Sequence, residues 1–307
     1  MNGLVKEVTR RQLKITESGR STDFIAPSFG HGCLFNCSYC YMKRHRPTGL
    51  QIAKNVDDVL DAIDRHHENL YYNGWVSINK PNQTHDTRVT YDIGTNEDLA
   101  LHAKYYDLHK IFDYPRGNNM MFSFATKYVN YDLLHIKTHP SRTRIRFSLM
   151  PQKYADILEP NTSYIEERIS AINDFISRGY DVHINFSPVI VTDTWIEDYR
   201  DLFMLVDKIV FPLYKRERAI KSEVIFLTHN EKKHEYNLAN GIPGEDLLWR
   251  PDIQENKISS NGQLNIRYNH KLKADYIYQF KCLHELLIPW NTIRYCFTFV
   301  VSLYQIL

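Results

Sequence analysis

The chain has 307 residues, with 38 Lys or Arg against 36 Asp or Glu, so its formal net charge is +2. A hydrophobic fraction of 43% and a charged fraction of 24% are typical of globular proteins, which excludes a disordered or fibrous chain. The small net charge also excludes a protein that coats nucleic acid by bulk electrostatics, although a local basic groove is compatible with it. This length fits about two domains or one large α/β barrel.

The five cysteines do not suit a secreted disulfide framework, which needs an even number of thiols in a short chain. Three of them lie within eight residues, namely Cys33, Cys37 and Cys40. The N-terminal segment lacks the apolar core of a signal peptide, and the apolar tail Phe297–Leu307 is shorter than the roughly 18–20 residues of a membrane helix. The sequence therefore predicts a cytoplasmic protein with one functional thiol cluster. Cys282 and Cys296 are predicted to be small buried hydrophobic residues.

Between residues 24 and 212, apolar runs typical of strands alternate with helical periodicity. The predicted strands are Phe24–Pro27, Arg88–Ile93, Met120–Ala125, Arg144–Leu149, Asp181–Phe186 and Lys208–Pro212. The predicted helices are Asn55–Leu70, Glu97–Phe112, Asn130–Ile136, a helix that Asn161 or Thr162 caps and Gly179 ends, and Trp195–Val206. About six strand–helix repeats predict an α/β fold with a mainly parallel sheet, a partial TIM-type barrel rather than the closed barrel of eight units.

The alternation changes after residue 215. The segments predicted beyond it are a charged helix Arg216–Glu235, a hairpin within Asn256–Tyr268, a helix Lys271–Leu287 and a strand Thr292–Val301. Asn261 and Gly262 indicate the hairpin, because both turn residues must adopt positive φ. The sequence thus predicts a barrel domain over residues 1–215 and a small C-terminal hairpin and helix extension over residues 216–307.

The clustered cysteines have the spacing Cys-x3-Cys-x2-Cys and must converge on one centre from a single loop. Soft thiolates select zinc, copper(I) or iron–sulfur clusters. A structural zinc needs four ligands, and His31 or His45 would have to be the fourth. A [4Fe–4S] cluster on three thiolates leaves one iron open for a small molecule, whereas ordinary ferredoxin clusters use four cysteines. The residues favour such an open cluster, with zinc or a plain thiol cluster as alternatives.

This triplet at the end of a first strand is the signature of radical S-adenosylmethionine enzymes. Its version here, Cys37-Ser38-Tyr39-Cys40-Tyr41, resembles the spore photoproduct lyase family, and the similarity extends over roughly residues 20–297. The other matching segments are Ile93-Gly94-Thr95, Glu97–Leu101, Thr126-Lys127, Phe147–Pro151, Glu159–Ser163, Glu167–Ile169, Phe186–Ile190, Arg267-Tyr268 and Arg294-Tyr295. Ordered motifs over most of the chain make this resemblance more specific than the triplet alone.

The resemblance implies a partial (βα)6 barrel that carries a [4Fe–4S] cluster on the three cysteines at its top. It also implies that S-adenosylmethionine chelates the open iron. One electron from a reductant of the flavodoxin or ferredoxin type then cleaves it to methionine and a 5′-deoxyadenosyl radical. By position, Lys127 and Ser148 match family residues that hold S-adenosylmethionine, the former as a cation beside its carboxylate. Asp98 or Glu97 could bind its amino group.

Tyr39 and Tyr41 match the tyrosines that flank the third cysteine, which in the family lie at S-adenosylmethionine and the radical path. Both could instead pack over the cluster, Lys127 could be a solvated lysine at a strand end, and Ser148 could be a core hydroxyl bonded to backbone. Five histidines are predicted to have ordinary surface roles on polar helix faces: His66, His67, His102, His109 and His234.

The chain departs from the family at the hydrogen-atom donor. In the family's lyase a cysteine near the exit of the second strand returns a hydrogen atom to the product radical. Here the matching stretch is Gly94–Asp98, and no cysteine lies between Cys40 and Cys282. Either Cys282, Cys296 or a tyrosine substitutes, or the reaction differs.

The resemblance implies a thymine photolesion in DNA as the substrate. A modified nucleoside, RNA or a peptide is the alternative, as is a metal-binding module without catalysis. A local basic groove near the hairpin could contact DNA, with Arg250, Lys257 and Arg267 and, beside them, Lys271 and Lys273. A solvated hairpin rim is an equal alternative, since Lys and Arg are common on sheet edges.

Overall fold

A curled sheet of eight strands is the centre of the computed structural model, which describes residues 4–18, 21, 23–40, 42, 49–74, 85, 87–216, 220–258 and 262–297. In chain order the strands are β1 (Val5–Val8), β2 (Thr16–Glu17), β3 (Phe24–Ile25), β4 (Gly30–Gly32), β5 (Leu50–Ala53), β6 (Val89–Asp92), β7 (Met120–Thr126), β8 (Thr143–Ser148), β9 (Asp181–Val189), β10 (Lys221–Phe226), β11 (Thr228–Asn230), β12 (Gln254–Ile258), β13 (Leu264–Tyr268) and β14 (Thr292–Phe297). The large sheet has the order β14-β10-β9-β8-β7-β6-β3-β2. Its pairs are parallel, except that β2 runs antiparallel to β3.

The helices lie between these strands along the chain, so the α/β partial barrel predicted from the sequence is confirmed. They are α1 (Val56–Tyr72), α2 (Leu108–Asp113), α3 (Gln152–Leu158), α4 (Ile165–Arg178), α5 (Trp195–Ile209), α6 (Pro212–Arg216), α7 (Glu231–Ala239), α8 (Glu245–Leu248) and α9 (His270–Leu287). None of the helices in the described ranges is both long and apolar enough to cross a membrane.

Strand β8 shows how side-chain alternation divides the two faces of the sheet. Phe147 is buried against the helical layer, where its ring packs edge to face on Phe175 of α4 at 5.4 Å. Arg146 lies on the opposite face and donates to Asp92 of β6 at 2.5 Å and to Glu223 of β10 at 3.1 Å. Because β6 and β10 lie on either side of β8, the face that carries Arg146 is the concave interior of the barrel.

The same interior charges join the two edges of the sheet. Arg294 of β14 donates to Glu223 at 2.5 Å and to Asp23, beside β3, at 3.0 Å. Strands β14 and β3 are separated by five strands in the sheet order, so their contact requires the sheet to curl almost into a closed barrel. We call Asp23, Asp92, Arg146, Glu223 and Arg294 the interior network.

The predicted strand Lys208–Pro212 is wrong, because Ile209 ends α5 and Pro212 begins α6. The sixth parallel strand is instead β10, which lies in the segment predicted as the charged helix Arg216–Glu235. Its central Glu223 is buried and neutralised by arginines from other strands, a pairing that the local sequence pattern does not reveal.

The predicted helix Glu97–Phe112 is also largely wrong, because only Leu108–Asp113 is α-helical. The side chain of Asp98 accepts the backbone N–H of Leu101, and the side chain of Glu97 accepts that of Gly30. Such side-chain bonds to backbone compete with helical hydrogen bonds, so the segment forms turns instead.

The helix before Gly179 begins three residues later than predicted. Glu167 accepts the backbone N–H of Tyr164 at 2.9 Å, so α4 starts at Ile165 rather than after Asn161 or Thr162. Gly179 has a φ of 99° and ends the helix as predicted.

Two three-stranded sheets flank the barrel, with the orders β1-β5-β4 and β11-β13-β12. The second contains the predicted hairpin, in which Ile258 pairs with Leu264 in antiparallel register. Asn261 lies outside the described residues, whereas Gly262 has a φ of 71°. The domain boundary after residue 215 stays a prediction, and β10 and β14 from beyond it belong to the barrel sheet.

Candidate functional site

The cysteine loop begins where the short strand β4 ends. Cys33 follows Gly32 directly, and its Sγ accepts the backbone N–H of Phe35 at 3.4 Å. The backbone N–H of Cys40 donates to the carbonyl of Cys37 at 3.1 Å, which closes a turn between these two thiols. The loop therefore presents its three free thiols from one compact segment.

Burial, together with a smaller contribution from the neighbouring carboxylate of Asp98, raises the pKa of Cys33 to about 12. Burial also raises the pKa of Cys37 well above its ordinary value, with Glu159 as the next cause. Without a bound cation both thiols hold their protons at neutral pH. A metal centre that binds them must displace those protons. Its positive charge then stabilises thiolates that are too buried to be stabilised by water.

A buried network ties the cysteine loop to the turn after β6. Glu97 accepts the N–H of Gly30 at 2.5 Å and the hydroxyl of Tyr106 at 2.6 Å, and it pairs with His102 at 3.1 Å. The other ring nitrogen of His102 accepts the N–H of Leu34 at 3.3 Å. A side chain at residue 30 would collide with Glu97 at 2.5 Å and with the Tyr106 hydroxyl, so this approach needs glycine.

On the other side of the loop, Tyr39, Lys127, Glu159 and Arg168 form what we call the loop cluster. The Tyr39 hydroxyl donates to Glu159, and Arg168 pairs with the second oxygen of that carboxylate at 2.8 Å. The Lys127 ammonium lies 5.6 Å from the centre of the Tyr39 ring. Burial raises the pKa of the Tyr39 hydroxyl well above its usual range, and the charge of Glu159 adds to the effect.

Lys127 follows β7 at the carboxyl end of the barrel. Burial lowers its pKa, but Glu159 and Cys37 raise it by more, so the side chain keeps its proton. Among the described residues, no carboxylate comes within ion-pair distance of its ammonium. Lys127 is therefore a cation beside the thiols that still has room for an anionic partner.

Asp98 lies in the turns after β6 and Ser148 ends β8, the two strands on either side of β7, and both side chains are already engaged. Asp98 accepts the Thr126 hydroxyl at 2.7 Å and the backbone N–H of Lys127 at 2.8 Å. The Ser148 hydroxyl accepts the Asn185 amide at 3.3 Å. Asp98 thus fixes the position of Lys127. The Asp98 carboxylate and the Ser148 hydroxyl both lie at the edge of the barrel that carries the cysteine loop. Tyr41 lies outside the described residues.

Three other predictions from the sequence are wrong. His102 is not a surface residue but is fully buried under the cysteine loop, and His234 is half-buried and stacks on Trp249 with ring centres 4.2 Å apart. Cys282 is exposed on α9 rather than buried. The two histidine errors arise because helical periodicity alone does not show which face of a short or irregular segment meets the core, whereas Cys282 lies on the solvent face of the long helix α9.

The basic residues around the hairpin are largely held by neighbouring carboxylates. Arg250 pairs with Asp252 at 2.6 Å and Arg267 pairs with Glu255 at 2.9 Å. Burial, together with a smaller contribution from Arg267, lowers the pKa of Lys273, on α9, to about 8.

The chain is similar to known proteins in both sequence and fold. The family model described as spore photoproduct lyase matches residues 2–295, nearly the whole chain. The chain belongs to the spore photoproduct lyase family. The resemblance in its motifs is therefore confirmed at the level of the family.

Curated relatives of the same family are about a quarter identical to this chain over the aligned residues. The spore photoproduct lyase of Bacillus subtilis is 27% identical over 201 residues, which cover 64% of this chain and 55% of the relative. That of Clostridium acetobutylicum is 26% identical over 196 residues, 63% of this chain and 54% of the relative. The alignment thus spans about half the length of the curated relatives that the chain matches.

Solved structures show the same fold. Spore photoproduct lyase complexed with the dinucleoside spore photoproduct superposes with a TM-score of 0.80 at 18% identity, covering 95% of this chain and 82% of that one. A mutant of spore photoproduct lyase with bound AdoMet and the same dinucleoside gives a TM-score of 0.79 at 18% identity, with the same coverage.

Glu159 and Arg168 received no role from the sequence, although both lie in segments that resemble the family. Glu159 accepts the Tyr39 hydroxyl and Arg168 pairs with Glu159, so together they position Tyr39. Glu159 follows the short helix α3, which itself follows β8. An acidic residue in that place, at the carboxyl end of the barrel, was the sequence signal that could have pointed to a role in the site.

Proposed function

We propose that this protein is a radical S-adenosylmethionine enzyme whose cluster ligands are Cys33, Cys37 and Cys40. The supporting observation is that one loop carries three thiols and that the cation Lys127 lies beside it. Lys127 has no carboxylate partner among the described residues. Membership of the spore photoproduct lyase family supports the same assignment.

The number of thiols fits a cluster better than a single zinc ion. Structural zinc almost always has four protein ligands. A [4Fe–4S] core held by three cysteines leaves one iron open for a small molecule.

When bound, the cluster supplies the electron that splits S-adenosylmethionine into methionine and a 5′-deoxyadenosyl radical. Lys127 provides positive charge for the methionyl carboxylate, and Ser148 and Asp98 lie at the adjacent strand ends as the remaining predicted contacts. Because Asp98 holds the Lys127 backbone, its first role is to orient that cation.

Tyr39 and Tyr41 are the proposed catalytic tyrosines on the radical path. The Tyr39 hydroxyl is bonded to Glu159, so its proton is retained and the ring is fixed against Lys127. The two roles proposed for Tyr39, packing the loop and facing the radical, are therefore compatible in one position.

We propose a thymine photolesion in DNA as the substrate and carbon–carbon bond cleavage as the reaction, since solved relatives are described with the dinucleoside spore photoproduct. A second candidate, another substrate such as a modified nucleoside, RNA or a peptide, is favoured by the absence of a thiol where the family has its hydrogen-atom donor. The stretch Gly94–Asp98 has no cysteine, and Cys282 is on the protein surface.

The proposed partners are a one-electron reductant of the flavodoxin or ferredoxin type and DNA. A basic groove near Arg250, Lys257 and Arg267 would contact the DNA backbone. The cytoplasmic location stays a prediction from the sequence.

Anaerobic reconstitution with iron, sulfide and a reductant tests the proposal. We expect four irons per chain and reductant-dependent formation of 5′-deoxyadenosine from S-adenosylmethionine. A single colourless zinc ion and no 5′-deoxyadenosine would show instead a metal-binding module without catalysis.

Addition of the dinucleoside photoproduct then separates the two substrate classes. Conversion of the photoproduct to its two thymidines indicates repair of the photolesion. Continued formation of 5′-deoxyadenosine without that conversion contradicts the DNA-repair proposal and leaves the radical chemistry intact.

A further inference from the structure

A second group of potential metal ligands lies away from the three cysteines. His229 belongs to β11, His234 to α7 and Glu245 to α8, so three separate elements converge on one point. One ligand atom from each lies within 4.8 Å of the others. His229 is fully buried and Glu245 nearly so, whereas His234 retains partial access to solvent.

We propose that His229, His234 and Glu245 bind one divalent transition-metal ion, zinc or a metal of similar preference. Two imidazoles and one carboxylate form a donor set typical of such ions. This site is independent of the cluster on the cysteines and of the radical chemistry proposed above.

The donor atoms now lie within hydrogen-bond distance of one another, somewhat closer than ligands arranged around a single ion. Bonds of about 2.0–2.2 Å at tetrahedral angles place neighbouring donor atoms about 3.3–3.5 Å apart. The Nε2 atom of His229 lies 3.1 and 3.2 Å from the two oxygens of Glu245, and the Nδ1 atom of His234 lies 2.5 Å from one of them. Small outward movements of the side chains would open the coordination distances without moving the backbone.

The surroundings hold the donors in place. The ring of His234 stacks on Trp249 with an interplanar angle of 9°, which fixes the direction of its nitrogen. The amide nitrogen of Asn237 donates to Glu245, as expected of a group that orients a ligating carboxylate. The amide oxygen of Asn237 is fully buried and has no hydrogen-bond partner in the described part of the chain, and a metal-bound water would supply the donor that it lacks.

Asn237 also connects this group to the cysteine loop. Its amide nitrogen donates to the carbonyl of Ser38 at 2.9 Å, and Ser38 lies between Cys37 and Cys40. An ion that fixes Glu245 therefore also fixes Asn237, and so braces the loop from the C-terminal side of the chain.

The test uses the full chain with Cys33, Cys37 and Cys40 replaced by Ser, so that the clustered thiols cannot bind the probe. Co²⁺ is titrated as a spectroscopic probe, followed by competition with Zn²⁺. We expect one equivalent of Co²⁺ with visible d–d absorption, displaced by Zn²⁺. In that background, His234→Phe keeps a ring against Trp249 but removes the donor, and we expect metal affinity to fall at least about a hundredfold.

His109→Phe, at an exposed histidine of α2, is the matched control and should bind metal like its parent. Circular dichroism and thermal unfolding of the metal-free forms establish that each variant is folded. If His234→Phe is not, Glu245→Gln replaces it, since the amide keeps the size of the side chain and loses its charge. Zn²⁺ should raise the Tm of the control and not that of the ligand variants. Absence of stoichiometric binding, or equal binding by the folded ligand variants, overturns the proposal.

Discussion

The interior network and the loop cluster both contain buried arginine and carboxylate groups, but they differ in whether each cation has a carboxylate partner. In the interior network Arg146 and Arg294 each bind two carboxylates and share Glu223. In the loop cluster Arg168 neutralises Glu159, whereas Lys127 lies over a ring without an ion-pair partner in the described residues.

This difference separates a structural role from a binding role. Buried ion pairs are costly to break, since the partner left behind is an uncompensated charge. A barrel closed by such pairs gains a fixed shape but no affinity for a ligand. A cation that is held in place without a partner provides affinity for an anion, and the comparison therefore predicts stability defects in one cluster and binding defects in the other.

The largest expected effect is on stability, in Glu223→Gln. This change leaves both interior arginines short of a partner, so we expect the free energy of unfolding to fall by about 3–5 kcal/mol, measured by denaturant titration. The exposed pair of Lys110 with Asp57 is the matched control, and Asp57→Asn should cost less than about 1 kcal/mol. Equal losses in the two variants would contradict the structural role of the interior network.

The same carboxylate predicts a pH dependence. Burial raises the pKa of Glu223, but Arg146 and Arg294 lower it by more, to about 2. Because the folded-state pKa lies below the unfolded value of 4.5, the stabilisation is present above about pH 4.5 and is lost as the pH falls towards 2. Between about pH 7 and about pH 3 the wild type should lose about 2 kcal/mol more than Glu223→Gln, measured by denaturant titration across that range. Parallel pH profiles would show that Glu223 is not charged in the folded state.

The next effect is on binding, in Lys127→Met. If Lys127 holds a methionyl carboxylate, loss of one charge-assisted hydrogen bond should weaken S-adenosylmethionine binding about tenfold or more. Equilibrium binding to the anaerobically reconstituted protein measures this, and the unfolding free energy should change much less than in Glu223→Gln. Lys110→Met, at an exposed lysine, is the control. Unchanged affinity in Lys127→Met would remove the proposed role.

Much of the barrel could be predicted from the sequence, because strands such as Met120–Thr126 carry their own apolar pattern. Strand β10 could not, since Glu223 in its centre is stabilised only by arginines from two other strands. In the candidate site the thiols were visible as a local motif. The roles of Glu159 and His102 were not, since they depend on contacts with residues far along the chain or on the opposite side of a turn.

A smaller loss of stability should follow from adding a side chain at Gly30, next to the residues that hold the cysteine loop. In Gly30→Ala the new Cβ meets Glu97 and the Tyr106 hydroxyl, so we expect a loss of about 1–3 kcal/mol in unfolding free energy. Gly117→Ala is the control, because its Cβ meets nothing within 4 Å. Tyr106→Phe removes one of the two obstructing groups and should recover part of the loss in a double-mutant cycle. A Gly30→Ala variant as stable as the Gly117 control would show that Gly30 is not tightly enclosed.

The smallest expected effect concerns charges that neither cluster encloses, at the hairpin. If Lys257 contacts a DNA phosphate, Lys257→Gln should reduce the slope of log affinity against log salt concentration by about 0.9. Arg267→Gln should reduce the slope by less than that value, because Arg267 must first release Glu255 to reach a phosphate. Fluorescence anisotropy with duplex DNA over a range of salt concentrations measures both slopes, and Lys208→Gln on α5 is the control. Identical slopes in all three variants would mean that the hairpin charges form a solvated rim with no role in binding DNA.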